Sequence, residues 1–287
     1  MTKAFDLNER RRHEREMINT TCTRPWELAV APVQVAPHVF YAGNSWVGVY
    51  WIDTGDGLIL LDAGMPFQLY TIFEGMRCMG YDPRQIKLAL LSHAHYDHCG
   101  AMKAVLEYTG AVCYAPEEDM AQLLHPDARL MNFGNDYQIF EPDMAYMPGE
   151  SITLGNISVE PVHAGGHTPG TTCFFFNDRE SSGRSHTVGI HGGLGLSMLG
   201  DDCFDSAAAA WAARADYRSA QRELAMRRVD IPLSFHPYNL NILERAAGGW
   251  QELVDAEGWQ RMLGERLAAL DDIERTSIYR EKELLSV

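Results

Sequence analysis

The chain switches between two hydrophobic periods, and the switches outline its elements. Residues 1–25 are polar and helix-compatible, and the run ends at Thr23-Arg24-Pro25, where proline stops a helix. From Val39 the pattern turns to β: Val39-Phe40-Tyr41-Ala42, then Trp46 to Ile52, then Leu58 to Asp62. Thr54-Gly55-Asp56-Gly57 lies between the last two, and Asp-Gly in that position predicts a hairpin. A helical stretch runs from Ala63-Gly64 to Met79, and Lys87 to Ser92 is an apolar run too short for a free-standing helix, which reads as a buried strand. A helix over 100–108, a strand over 111–115 and a helix over 117–125 follow. Alternation then predicts strands over 151–154, 157–162, 171–176 and 187–190, and helical patterns over 206–228 and 242–273 flank a short strand from Ile231 to Phe235. There is no solenoid-length repeat. The pattern describes one α/β domain over 36–287 behind an N-terminal extension over 1–35.

Composition changes this picture little: 287 residues with 46% hydrophobic and 22% charged positions are enough for one sizeable core. Charge matters more. A formal net charge of −15 argues against nucleic acid as a partner, because that binding rests on a Lys/Arg footprint, and leaves a cation easier to accommodate. The basic stretch from Glu9 to Glu16 is interrupted by acids and has no interleaved aromatics, so it reads as a solvated helix or arm. Such an arm could clasp a second copy in a homo-oligomer. No apolar run approaches the ~18 residues of a membrane span, and the N-terminus has no apolar signal core. These features predict a soluble cytoplasmic protein with a small-molecule substrate and no membrane partner. The six cysteines include no Cys-x-x-Cys pair, which argues against a zinc ribbon and for free thiols.

Chemistry concentrates in His93-Ala94-His95-Tyr96-Asp97-His98. His93 and His95 are two apart after a predicted strand, so their side chains leave one face and can converge on one ion. Imidazole nitrogens with a carboxylate suit zinc, and a third histidine from elsewhere would complete a site with one position open. His167, in Gly165-Gly166-His167-Thr168-Pro169-Gly170, is placed for that role, since glycines let backbone approach closely. A lone histidine is more often exposed or a satisfied core residue. Four candidate ligands in six positions are not a chance grouping.

These residues, preceded by Leu60-Leu61-Asp62-Ala63-Gly64, resemble the metallo-β-lactamase fold superfamily over about residues 36–270. The resemblance implies a four-layer αββα sandwich, with an Asp at position 62 that supports the ligand loop rather than binding metal. It implies two Zn2+ ions: one held by His93, His95 and His167, the other by Asp97, His98 and a late histidine. His236, in Ser234-Phe235-His236-Pro237, fits as that last ligand, whereas His125, His163 and His186 fit less well.

One departure narrows the resemblance. Many hydrolases of the superfamily, including glyoxalase II and acyl-homoserine lactonases, carry a metal-bridging Asp after the strand that follows the Gly-His-Thr-Pro-Gly loop. Here the strand Thr187-Val188-Gly189-Ile190 runs into His191-Gly192-Gly193, and Asp201 and Asp202 come about ten residues too late. The gap is similar to the lactamase subclass with a His-His-His site and an Asp-His-His site. It disfavours tRNA-processing nucleases and persulfide dioxygenases, and His95 stands where flavodiiron proteins need an acid. The implied reaction is hydrolysis of a cyclic amide or ester by metal-bound hydroxide, with Asp97 as the catalytic carboxylate. Trp46, Tyr238 and His191 are candidate substrate contacts, although His191 could instead approach the metal or do neither. Met131, Phe133, Tyr137 and Phe140 are further candidate walls. A lactonase or thioesterase, a catalytically silent metal-binding module and an iron oxidoreductase remain as alternatives.

Overall fold

The computed structural model describes residues 5–125 and 138–279. Among these residues the strands form two sheets. The first takes β1 (Val33–Ala36), β2 (Val39–Gly43), β3 (Gly48–Asp53), β4 (Leu58–Leu61), β5 (Ile86–Leu90), β6 (Val112–Ala115) and β7 (Met144–Ala145) in chain order. Hairpin connections make β1 to β4 antiparallel, while crossovers make β4 to β7 parallel. The second sheet joins β8 (Ile152–Leu154), β9 (Ile157–His163), β10 (Thr172–Arg179) and β11 (Ser185–His191) in an antiparallel meander. A crossover through α6 (Ala207–Leu224) then adds β12 (Ile231–Ser234) parallel to β11.

Alternation along the strands builds the layers. Tyr50, Ile52, Ile59 and Leu61 face a cluster that includes Phe174, Phe176, Ile190 and Leu233 of the other sheet. Their neighbours Val49, Trp51, Leu58 and Leu60 face the opposite way, onto Ile72, Phe73 and Met76 of α2 (Leu69–Cys78) and Met102 and Val105 of α4 (Met102–Thr109). On the far side of the second sheet, Phe175 meets Trp259 of α8 (Gly258–Thr276) edge-on at 5.4 Å. The result is the expected αββα sandwich, whose strands are apolar on both faces because both faces are covered.

Three local expectations need correction. The predicted helix over 242–273 is broken into α7 (Ile242–Ala246), a 3-10 turn at Trp250–Leu253, and α8. The break falls at Gly248-Gly249, where Gly249 takes φ +108, a conformation open to glycine and costly for other residues. Strand β1 begins at Val33, so the boundary at residues 35/36 cuts through the first sheet. The N-terminal segment is not a solvated arm: α1 (Leu7–Thr23), capped by the Asp6 side chain, lies on its own chain. Its inward stripe runs Leu7, Arg10, Arg11, Glu14, Met17, Ile18 and Thr21, at helical spacing but polar at its start. Arg11 pairs with Asp202 at 2.7 Å and donates to the Ser197 carbonyl at 2.9 Å, while Arg12, His13 and Arg15 face water. No helix among the described residues is long and apolar enough to cross a membrane.

Candidate metal centre

Strands β4 and β5 are parallel neighbours, so the loops after Leu61 and Leu90 leave the sheet on the same side. Asp62 opens the first loop with φ +60, a strained left-handed conformation for a residue with a Cβ. That turn aims its carboxylate at the second loop, where it accepts from Ser92 N at 2.6 Å, Ser92 Oγ at 2.7 Å and His98 Nδ1 at 2.6 Å. Three charge-assisted bonds offset the strain and fix the histidine loop to the sheet end. Asp97 and His98 sit in a helical turn, α3 (Tyr96–Cys99), which His95 caps, rather than in an open loop.

Two groups of ligand-type atoms result: His93, His95 and His167, and Asp97, His98 and His236, each within 4.8 Å of one another. The second shell orients them. The Nδ1 of His93 meets Ser92 Oγ at 2.9 Å, and Ser92 already donates to Asp62, so the serine oxygen accepts and Nε2 of His93 keeps its lone pair. The Nδ1 of His167 faces the Gly195 carbonyl and that of His236 the Trp46 carbonyl, each at 2.8 Å, again leaving Nε2 as an acceptor. Acceptors therefore confront acceptors at two contacts: His167 Nε2 is 3.2 Å from His93 Nε2, and Asp97 Oδ2 is 3.4 Å from His236 Nε2. His95 Nδ1 lies 3.0 Å from His93 Nε2 and His98 Nε2 lies 3.6 Å from Asp97 Oδ2, which completes the two groups. The two acceptor pairs repel unless a cation lies between them, and nitrogen with one carboxylate suits zinc. The donor set fits the implied metal pair.

Electrostatics agree with ligation. Burial, reinforced by neighbouring histidines, holds His93 and His95 well below the ordinary imidazole pKa and lowers His167 to about 4. Burial likewise takes His236 to about 3, so these rings offer lone pairs at neutral pH. Burial acts to raise Asp97, but His98, His236 and His95 outweigh it and keep the carboxylate ionised. His98 runs the other way: Asp97 and Asp62 overcome burial and raise it.

The other candidates are distributed unevenly. Trp46 and Tyr238 line a cavity together with His95, Asp97, His98, His167 and His236. His191 is turned away: it is buried, its Nε2 meets Gln221 at 2.9 Å, and its Nδ1 accepts from Gly193 N at 3.1 Å. Asp201 and Asp202 are engaged with Arg214 and Arg11, and neither joins the two ligand groups, in which Asp97 is the one carboxylate. His163 bonds the Pro169 carbonyl, His186 pairs with Glu180, and His125 is exposed beyond a helix end. Phe140 belongs to the core beneath α2 and α4, and Met131, Phe133 and Tyr137 lie outside the described residues.

Sequence reasoning missed Asp119. Fully buried, it accepts from Ala94 N at 2.9 Å, Thr168 Oγ at 2.8 Å and Gly170 N at 2.7 Å, and so ties the His93 loop to the His167 loop. It also missed Arg10 and Arg266, which reach the cavity from α1 and α8.

Comparison with known proteins converges on this architecture. Residues 42–180 match the metallo-β-lactamase superfamily model, a window that holds the His93 and His167 loops and ends before His236. An N-acyl homoserine lactonase of a Bacillus species is 28% identical over 177 residues, covering 53% of this chain and 61% of the lactonase. The match thus spans about three-fifths of the length of that curated relative. Among solved structures, the subclass B3 metallo-β-lactamase of Bradyrhizobium japonicum superposes with a TM-score of 0.77 at 22% identity, covering 92% of this chain and 97% of that one. A beta-lactamase from Chitinophaga pinensis gives a TM-score of 0.75 at 25% identity, covering 86% and 95%. Layer order, ligand motif and superposition agree: the chain has the metallo-β-lactamase fold.

Proposed function

We propose that this protein is a zinc-dependent hydrolase that opens a cyclic amide or ester, with a β-lactam as the substrate class to test first. The observation that carries the reading is the ligand constellation: three histidines, then Asp-His-His, with Asp97 as the one carboxylate in either group. His93, His95 and His167 would hold one ion, and Asp97, His98 and His236 the other. When bound, such a pair supplies Lewis acidity and a water of lowered pKa. The chain's own residues do the rest. Asp97, kept ionised by its histidine neighbours, would hold the ion through Oδ2, the oxygen that faces His98 and His236, and would orient the attacking water and take its proton through its other oxygen. Trp46, Ile18 and Leu194 give the cavity apolar walls that limit bulk water, and Tyr238 places a hydroxyl at its edge. The unpaired state of all six cysteines suits a reducing, cytoplasmic compartment.

A lactone is the second reading, favoured by the curated lactonase relative. Two features weigh against it: among the described residues no bridging carboxylate joins the ligand groups, and the likeness to solved β-lactamases covers nearly the whole chain. The deciding experiment is a hydrolysis panel of a chromogenic cephalosporin, an acyl-homoserine lactone and a glutathione thioester, run with and without chelator and with His95→Ala alongside. Cephalosporin turnover lost in both controls is the expected result. Tight zinc binding without turnover of any of the three would sink the hydrolase reading.

A further inference from the structure

The segment His191-Gly192-Gly193-Leu194-Gly195 leaves the end of β11 and wraps one of the ligand rings. The Gly195 carbonyl takes the Nδ1 proton of His167 at 2.8 Å, which turns Nε2 of that ring towards His93. The backbone also lies flat against the ring. A Cβ at Gly193 would stand 2.3 Å from Cδ2 of His167, and one at Gly195 would stand 2.9 Å from its Cε1. At Gly192 a Cβ would stand 1.9 Å from the Thr172 carbonyl oxygen, so the turn out of β11 has no room for a side chain either. Glycine permits this closeness but leaves the backbone free to take many other conformations. Something must hold the segment in place.

That support comes from α6. The Tyr217 hydroxyl donates to the Leu194 carbonyl at 3.1 Å, and one helical turn on, Gln221 Oε1 lies 2.9 Å from Nε2 of His191. The other side of the His191 ring fixes the roles in the second bond. The Gly193 N–H donates to Nδ1 at 3.1 Å, so Nδ1 carries no proton and Nε2 donates to Gln221. Burial takes His191 to about 3, so the ring stays neutral, in that one tautomer, at neutral pH. The amide nitrogen of Gln221 is buried without a partner, a cost that the bond from His191 to its oxygen helps to offset. His191 is thus a rigid spacer with α6 at one nitrogen and the glycine segment at the other.

We propose that His191 is a positioning residue for metal binding: by fixing Gly193 it fixes the Gly195 carbonyl, and through that carbonyl the tautomer and aim of His167. It does so as neither a ligand nor a substrate contact. This inference rests on the reading of His167 as a ligand given above.

Two amide substitutions separate the two ends of the ring. Asparagine places Oδ1 where imidazole has Nδ1 and keeps an acceptor for Gly193, whereas glutamine places Nε2 where imidazole has Nε2 and keeps only the donor to Gln221. Each variant loses one hydrogen bond, so a merely structural histidine would suffer about equally from both. Zinc affinity is read by competition with a chromophoric chelator in a His236→Ala background, where the three-histidine group is the intact one, and circular dichroism checks each fold. His191→Gln should weaken zinc about 10- to 100-fold, the range for loss of an outer partner of a ligand, while His191→Asn stays close to its parent. Equal losses would overturn the proposal. If the glutamine variant does not fold, the asparagine variant decides: zinc held as in the parent supports the proposal, and an unfolded protein or a loss of about tenfold or more overturns it. If the wild type holds no zinc, the reading of His167 as a ligand fails, and the ring itself still gives an answer. Nitrogen–proton correlation NMR of the chelated protein should show His167 as the Nδ1–H tautomer in wild type and His191→Asn, and shifted towards the Nε2–H form that free imidazole prefers in His191→Gln. The wild-type tautomer retained in His191→Gln would refute the role of His191.

Discussion

Replacing Asp119 by alanine removes a side chain that touches no metal ligand, yet it should loosen the whole centre. Its carboxylate is the shared acceptor for Ala94 N, Gly170 N and Thr168 Oγ, which belong to the two loops that present His93, His95 and His167. Thr168 can fall back on Thr171 Oγ at 2.8 Å, but the two backbone N–H groups lie in buried residues and gain no substitute. At about 1–3 kcal/mol for each buried donor left unmade, Asp119→Ala should cost about 2–6 kcal/mol, a large part of the ordinary stability of a domain. Asp119→Asn is the internal control. Ala94 and Thr168 share Oδ2 and Gly170 alone uses Oδ1, so an amide oxygen at Oδ2 keeps two contacts and the cost should be about 1–3 kcal/mol. Urea unfolding of the zinc-loaded proteins reads the stability, and competition with a chromophoric chelator reads zinc affinity, which should fall with the same ranking. Asp119→Ala within about 0.5 kcal/mol of wild type, the range of neutral surface changes, would refute the reasoning.

Gly166→Ala should be strongly destabilising, by about 2 kcal/mol or more, because φ is +114 and a Cβ would stand 2.5 Å from Tyr217 N and 2.6 Å from its Cα; a thermal melt checks it. Asp201→Asn should cost about 3 kcal/mol by leaving the fully buried Arg214 without its acid. Burial acts to raise Asp201, but Ser277, Arg214 and the Ile278 amide outweigh it and hold the pKa below its ordinary value. The contribution is therefore present above the unfolded carboxyl pKa, about 3.9, and fades as pH falls through the lower folded value, so wild type and variant should converge in acid urea titrations. Chelation should lower the melting temperature, since zinc at a thousand times its Kd stabilises by about 4 kcal/mol. With burial depressing His167 from 6.5 to about 4, the metal-free protein should also lose stability as pH falls from 6.5 towards 4.

What could be read from the chain depended on how locally each feature is written. His93, His95, Asp97 and His98 lie in one hexapeptide, so their chemistry announces itself before any fold is known. Unbroken apolar runs such as Tyr50-Trp51-Ile52 and Leu58 to Leu61, separated by the Thr54–Gly57 turn, likewise read as strands, and they form β3 and β4. Asp119 was illegible for the opposite reason. It is the last of three consecutive acids, Glu117-Glu118-Asp119, and only the packing of that turn against the Gly165–Gly170 loop distinguishes it. Arg266 had a usable signal, a cation at an apolar step between Leu263 and Ala269, hidden by reading 242–273 as one helix. α1 misled because the stripe it turns inward is polar where it meets the cavity, so charge resembled solvation. Strand β7, of two residues, is too short to leave a period, and β1 (Val33–Ala36) is obscured by Pro32 and Pro37 on either side of it.

The metal ligands hang from strand ends and loops within the body of the chain, whereas two walls of the cavity are delivered by its first and last helices. The two ligand groups and these cavity walls can therefore diverge independently, by exchange of the α1 and α8 segments alone. A chimera that takes its α8 from a relative with the same hexapeptide would change a wall of the cavity and leave the two ligand groups intact. By the same token, trimming this protein back to the window that matches the superfamily model would discard Arg10 and Arg266 along with the helices that carry them.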